Sequence, residues 1–276
     1  MGRVIWYESS DIRIRVEDER RSDRVVIHFD SLQSEFGDPL PERKASSIFR
    51  GFDTILVSAL SNHCWQVPDL DAMCAALRAA SDGYAERLAY GSSMRGYGAL
   101  MLAGDIGCTR ILAVAPQAVY TEPSVPLHPI WSDAFNARPF VRDDVVASLS
   151  VAPDIVYDPD LPLDAAHVRY LQDRIPIRAF PFPHAGHKVL KTLKECGILK
   201  PVMTALLQGD ARMEDLRALY DPVCERSPNY LFHAGASRAL AGNNAAAAPY
   251  LEQLEALDPP QAARLREILE TGLPTA

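Results

Sequence analysis

A hydroxyl, two imidazoles and a run of carboxylates, far apart in the chain, are the residues of this sequence that could do covalent chemistry together. Ser93 lies in Leu88-Ala89-Tyr90-Gly91-Ser92-Ser93-Met94-Arg95-Gly96-Tyr97-Gly98, where an apolar run passes through Gly-x-Ser into a small-residue segment. His184 and His187 lie in Phe182-Pro183-His184-Ala185-Gly186-His187, and Asp158, Asp160 and Asp164 fall within seven residues of one another. A serine hydroxyl attacks a carbonyl poorly at neutral pH unless an imidazole takes its proton and a carboxylate fixes the tautomer of that imidazole. The three residue types therefore point to acyl chemistry on a serine, and they occur in the order serine, acid, histidine.

The segment around Ser93 reads as a strand, a sharp turn and a helix. Such a turn lifts the hydroxyl above a parallel sheet, and the helix N-terminus with the next backbone N–H faces a developing oxyanion. By these residues the chain resembles the α/β-hydrolase superfamily, over about residues 24–200. Gly91 stands two before Ser93 as the elbow pattern has it, whereas Arg95 stands two after, where the pattern has glycine. Ser92 would be flanked by Tyr90 and Met94, so Ser93 is the candidate.

The resemblance implies esterase or related acyl-hydrolase chemistry on a small or medium acyl substrate, without a cofactor. Ser93 attacks, His187 shuttles the proton, an aspartate orients His187, and water resolves the acyl-enzyme. His187 is preferred to His184 because Ala185-Gly186-His187 before a helix resembles the small-Gly-His loop of the family; His184 then lines the pocket. Asp160, followed by Leu161-Pro162-Leu163, is the first candidate acid, and Asp158, nearer the strand end, is the second. Asp164 reads as a helix cap. The oxyanion hole would use the N–H of Met94 and one near Asp30 or Ser31, although Phe29-Asp30-Ser31 departs from the His-Gly signature of lipases. Arg95 either meets an anionic substrate group or pairs with a surface carboxylate, and Trp65 and Trp131 are candidates for the pocket wall.

The elements that must position these groups follow from periodicity. Val4–Tyr7 and Ile12–Val16 alternate and predict an antiparallel hairpin. Val25–Phe29, Thr54–Ser58, 86–90, Arg110–Ala115, Asp154–Tyr157 and Ile175–Phe180 are short apolar runs of the kind buried in a parallel sheet. Helical spacing predicts helices from Pro68-Asp69 through Ala80, over 94–104, from Leu163 to Asp173 and from Lys188 to Glu195. The fold class is α/β, a mostly parallel doubly wound sheet with an N-terminal hairpin and a C-terminal helical extension.

Residues 32–50 are polar and contain proline, which predicts a long loop. Residues 116–150 carry Pro116, Pro123, Pro126, Pro129 and Pro139 with Trp131, Phe135 and Phe140, and by the resemblance form a lid over the site. The first domain is expected over 1–200. From 201 to 276 the chain is helical, and 228–261 resembles one tetratricopeptide-like repeat, with Gly242-Asn243-Asn244 as its turn. One repeat cannot bury its own face. The helices are thus expected to pack on preceding ones or to offer a surface to a protein partner or a second copy.

Composition sets the remaining bounds. With 276 residues, 48% hydrophobic, the chain can bury a full core. A formal charge of −8 argues against nucleic-acid binding. The start Met1-Gly2-Arg3-Val4-Ile5-Trp6 lacks the long apolar run of a leader or membrane span, so a cytoplasmic protein is expected. Cys64, Cys74, Cys108, Cys196 and Cys224 are odd in number and scattered, as buried reduced thiols are. His184-x-x-His187 has no cysteine or acidic partner at zinc spacing, so no metal is expected. His28, His63, His128 and His233 read as structural. The rival to catalysis is a hydrolase-like scaffold that has lost it and binds partners through the helical C-terminus.

Overall fold

A computed structural model describes residues 2–30, 47–60, 63–127, 140 and 142–274. Among the described residues, eight strands form one sheet in the order β1-β2-β4-β3-β5-β6-β7-β8: β1 Arg3–Glu8, β2 Ile12–Glu17, β3 Arg24–Asp30, β4 Asp53–Ala59, β5 Glu86–Ser92, β6 Arg110–Val114, β7 Asp154–Tyr157 and β8 Arg178–Pro181. β1 pairs β2 and β2 pairs β4 antiparallel, while β3, β4, β5, β6 and β7 are joined by parallel pairs. This is the expected mostly parallel sheet with an N-terminal hairpin.

Nine helices are present among the described residues: α1 Leu70–Ala80, α2 Met94–Ile106, α3 Pro162–Gln172, α4 Val189–Glu195, α5 Leu199–Gln208, α6 Met213–Tyr220, α7 Pro228–Leu240, α8 Asn244–Leu257 and α9 Pro259–Thr271. None of the described helices is long and apolar enough to cross a membrane. The expected last strand begins later than Ile175, because Pro176 has no N–H to give a ladder. Arg174 and Ile175 donate instead to Leu171 C=O at the end of α3, and pairing starts with Arg178 N–H on Pro153 C=O at 2.9 Å.

The chain divides into two compact units, 1–156 with 166–179, and 157–165 with 180–276. The division does not fall at residue 200, since the loops after β7 and β8 group with the C-terminal helices. In the first unit, Val25, Val26, Ile27 and Phe29 of the central strand are fully buried, and α1 buries Leu70, Met73, Cys74 and Leu77 at helical spacing. In the second, α7, α8 and α9 share a core of Leu231, Ala247, Leu254, Leu265 and Ile268. The helix pair read from 228–261 is thus covered by a third helix of its own chain. All five cysteines are free and buried. The expected loop 32–50 lies outside the described residues except for Ser47–Arg50, where Ser47–Phe49 form a 3-10 turn, and the middle of the expected lid, 128–139 with 141, lies outside them too.

Candidate active site

Ser93 occupies the turn between β5 and α2 with φ 55° and ψ −130°, a backbone conformation that a residue with a side chain adopts only when its surroundings enforce it. The enforcement is visible. Ser93 N–H donates to Val114 C=O at 2.8 Å, and Tyr97 N–H donates to Ser93 C=O at 3.0 Å, tying the turn to β6 on one side and to the helix on the other. A Cβ at Gly91 would collide with the Arg95 carbonyl, so only glycine fits beneath the helix start. A Cβ at Gly96 would stand 2.9 Å from Pro116 Cβ. Close approaches that leave no room for a Cβ thus fall on residue 96, one after Arg95, and on residue 98 against Trp65.

Arg95 directs its guanidinium to its own strand ends, with Nε on Ser92 C=O at 3.3 Å and Nη1 3.8 Å from the buried Asp30 carboxylate. The carboxylate beside Arg95 is thus a buried one, not the surface carboxylate expected from sequence. Met94 opens α2, so its N–H belongs to the helix start where intrahelical partners are lacking. Ser31, the other oxyanion candidate beside Asp30, lies outside the described residues.

Trp65 does not offer a face to a substrate. It is fully buried, its Nε1–H donates to Met94 C=O at 2.8 Å, and its ring meets Phe29 edge-on at 5.0 Å. Cys64 and Trp65 both have positive φ, and His63 Nδ1 accepts the Trp65 N–H at 2.9 Å, so the strand exit drives the indole onto α2. The pocket-wall expectation for Trp65 is corrected to a prop under the elbow helix. Trp131 and Phe135 lie outside the described residues, while Phe140 packs against Tyr120 at 4.9 Å.

The histidines and acids lie in the second unit. His187 Nδ1 is 2.8 Å and 3.0 Å from the two oxygens of Asp164, in the first turn of α3. The Asp164 side chain is 5% exposed and that of His187 34%. A carboxylate on Nδ1 selects the tautomer protonated there and makes Nε2 the basic nitrogen. Asp164, read from sequence as a cap, is therefore the carboxylate that meets His187, and neither Asp160 nor Asp158 is placed there. Asp160 is 41% exposed and lies 3.1 Å from His184 Nδ1, in an alignment that makes no hydrogen bond. Asp158 faces backbone: its Oδ1 accepts the N–H of Asp160 and of His184, each at 2.9 Å, and its Oδ2 accepts that of Gly186 at 2.7 Å.

Burial lifts the Asp158 carboxyl to about 6, against the pull of these three N–H bonds. Burial also lowers His184, which sits edge-on to Tyr230 at 5.7 Å, and pushes His233 down to about 4. No cluster of three or more metal-ligating side chains occurs among the described residues.

Sequence reasoning missed Asp164 as a partner of His187 because its place at a helix start already explained an aspartate. Spacing gave no signal for it, since Asp158, Asp160 and Asp164 all follow β7 within seven residues.

No family model and no curated protein matches the chain. Among solved structures, the capsule O-acetyltransferase of Neisseria meningitidis serogroup A, in complex with caged gadolinium, matches with TM-score 0.53 at 12% identity, over 73% of this chain and 93% of that one. A second structure of that enzyme matches with TM-score 0.51 at 14% identity, over the same shares. MGS-M1, an α/β hydrolase from a Medee basin deep-sea metagenome library, matches with TM-score 0.43 at 14% identity, over 81% of this chain and 94% of that one. At such identities the likeness shows the fold alone, and with the sheet order it gives an α/β-hydrolase-like fold.

Proposed function

We propose that this chain is a serine hydrolase of the esterase or acyl-hydrolase type, with Ser93 as nucleophile, His187 as general base and Asp164 as the acid that orients it. The observation that carries the reading is the pairing of Asp164 with His187 Nδ1 in a chain whose Ser93 holds a strained elbow backbone, each group following β5, β7 or β8 in serine, acid, histidine order.

Ser93 Oγ attacks the acyl carbonyl as its proton passes to His187 Nε2, and the tetrahedral oxyanion takes the N–H of Met94. A second donor near Asp30 or Ser31 completes the hole. The leaving alcohol collects the proton from His187, an ester of Ser93 remains, and water deprotonated by His187 releases the acid. The α/β-hydrolase-like fold supports this class of chemistry. A second reading keeps the same acyl-enzyme but gives the acyl group to an alcohol, as the name of the Neisseria enzyme describes for that protein. Added alcohol acceptors, with product analysis, separate the two.

The test of the common core is labelling with a fluorophosphonate, which phosphonylates an activated serine. The wild type is expected to be labelled on Ser93 and Ser93→Ala to stay unlabelled. An unlabelled wild type, or equal labelling of Ser93→Ala, overturns the assignment in favour of a scaffold without catalysis.

A further inference from the structure

The loop that carries His187 does not hold itself. His184 has φ 59° and Gly186 φ 67°, so Pro183–Gly186 forms no regular structure and its backbone groups need partners from elsewhere. Its N–H groups at 184 and 186 go to Asp158, and that of Ala185 goes to Phe182 C=O at 3.1 Å. Its carbonyls are taken by side chains from far along the chain. Tyr220 OH, at the end of α6, donates to Pro183 C=O at 2.9 Å, and Asn229 Nδ2, in the first turn of α7, donates to Ala185 C=O at 2.7 Å. Thr192 of α4 adds a second bond to that carbonyl at 2.8 Å.

Asn229 is itself fixed. Its side chain also donates to Thr192 Oγ1 at 2.8 Å, and its backbone N–H donates to Glu195, the carboxylate that also accepts Ser227 OH at 2.5 Å. His233, one turn further along α7, lies against Gly186 so closely that a Cβ there would collide with the imidazole. Tyr220 is held by Phe182, whose ring it meets at 5.1 Å, and is fully buried. The C-terminal helical segment thus supplies donors and a floor to the histidine loop.

Resting on the reading of His187 as the base, we infer that Tyr220, Asn229 and Asp158 are positioning residues, and that α6 and α7 fix the histidine loop instead of forming an independent appendage. None of the three touches the reacting atoms. They act through the loop, and a displacement of a catalytic group by about 1 Å can cost on the order of a hundredfold in rate.

The experiment compares full-length wild type, Tyr220→Phe, Asn229→Ala and the exposed control Glu252→Gln on α8. Three readouts are taken: the rate of Ser93 labelling by a fluorophosphonate between pH 5 and 9, kcat and KM on p-nitrophenyl acetate, and amide hydrogen exchange at His184 and Gly186 by NMR. Both clamp variants are expected to label roughly tenfold to a hundredfold more slowly. Their kcat falls while KM holds, the pH profile changes, and both amides exchange faster; the control matches wild type throughout. Tyr220→Phe keeps the packed ring and decides the matter if Asn229→Ala does not fold. Folded variants with wild-type labelling rates and profiles overturn the inference, as does unchanged exchange at both amides. If the wild type itself is not labelled, the proposed function falls. The exchange data then decide the clamp alone: faster exchange in the variants upholds the role of α6 and α7, and unchanged exchange removes it.

Discussion

Replacing Asp164 with asparagine removes the charge on His187 Nδ1 while keeping the shape of the side chain. The amide can present its NH2 to Nδ1, which favours the wrong tautomer, and under the proposed mechanism it would fail to stabilise the imidazolium formed when His187 takes the Ser93 proton. In serine proteases the same change in the triad costs about 10⁴ in kcat, or about 5 kcal/mol. Here the acid is nearly enclosed but the imidazole is one-third exposed, so water screens part of the interaction. The expected loss is therefore about 10² to 10⁴ in kcat, about 3–5 kcal/mol of barrier, with KM little changed.

Asp160→Asn is the internal comparison. That carboxylate is half-exposed and sits at His184, so its loss should change kcat by no more than about threefold, in line with an exposed pair. The assay is steady-state hydrolysis of a p-nitrophenyl ester beside fluorophosphonate labelling, with folding checked by circular dichroism. Asp164→Asn turning over like wild type, or Asp160→Asn losing as much as Asp164→Asn, would refute the choice of acid.

Acid stability should carry two opposed contributions from the second unit. Burial lifts Asp158 to about 6, so across about pH 4 to 6 the folded chain holds a proton the unfolded one has released, and stability falls by about 3 kcal/mol as pH rises through that window. Burial pushes His233 to about 4, so the unfolded chain binds a proton first, and about 3 kcal/mol is lost as pH falls from about 6.5 to 4. The two nearly cancel in the wild type; Asp158→Asn should expose the His233 slope in urea unfolding measured from pH 4 to 7, and identical pH dependences would count against both shifts. Gly91→Ala forces a methyl into the Arg95 carbonyl and should cost about 1–3 kcal/mol in thermal or urea unfolding, with slower Ser93 labelling. An unchanged Tm and labelling rate would show that the elbow does not need glycine there.

Much of the architecture was legible along the chain. Val25–Phe29 and Arg110–Val114 read as buried strands because a strand covered on both faces has no polar alternation to keep. The elbow was legible because Gly91, Ser93 and a small-residue helix start lie within a few positions, and local sterics decide such a turn. The order serine, acid, histidine needed only chain order. Which aspartate meets His187 did not follow, since Asp158, Asp160 and Asp164 are equivalent to any rule of spacing. Which one faces an imidazole depends on the path of the chain out of β7 and on which oxygen is needed to satisfy backbone N–H groups.

Sequence by itself, then, determined the mostly parallel sheet with its N-terminal hairpin and the turn on which Ser93 stands, because each rests on interactions between near neighbours or on plain apolar patterning. The tertiary structure alone decided that Asp164 meets His187, that Asp158 serves the loop backbone, that Trp65 props a helix, and that Tyr220 and Asn229 reach the histidine loop from 37 and 44 residues away. The physical reason is that unpaired backbone groups of an irregular loop take whatever donors folding brings to them, and no periodicity in the chain records which those will be.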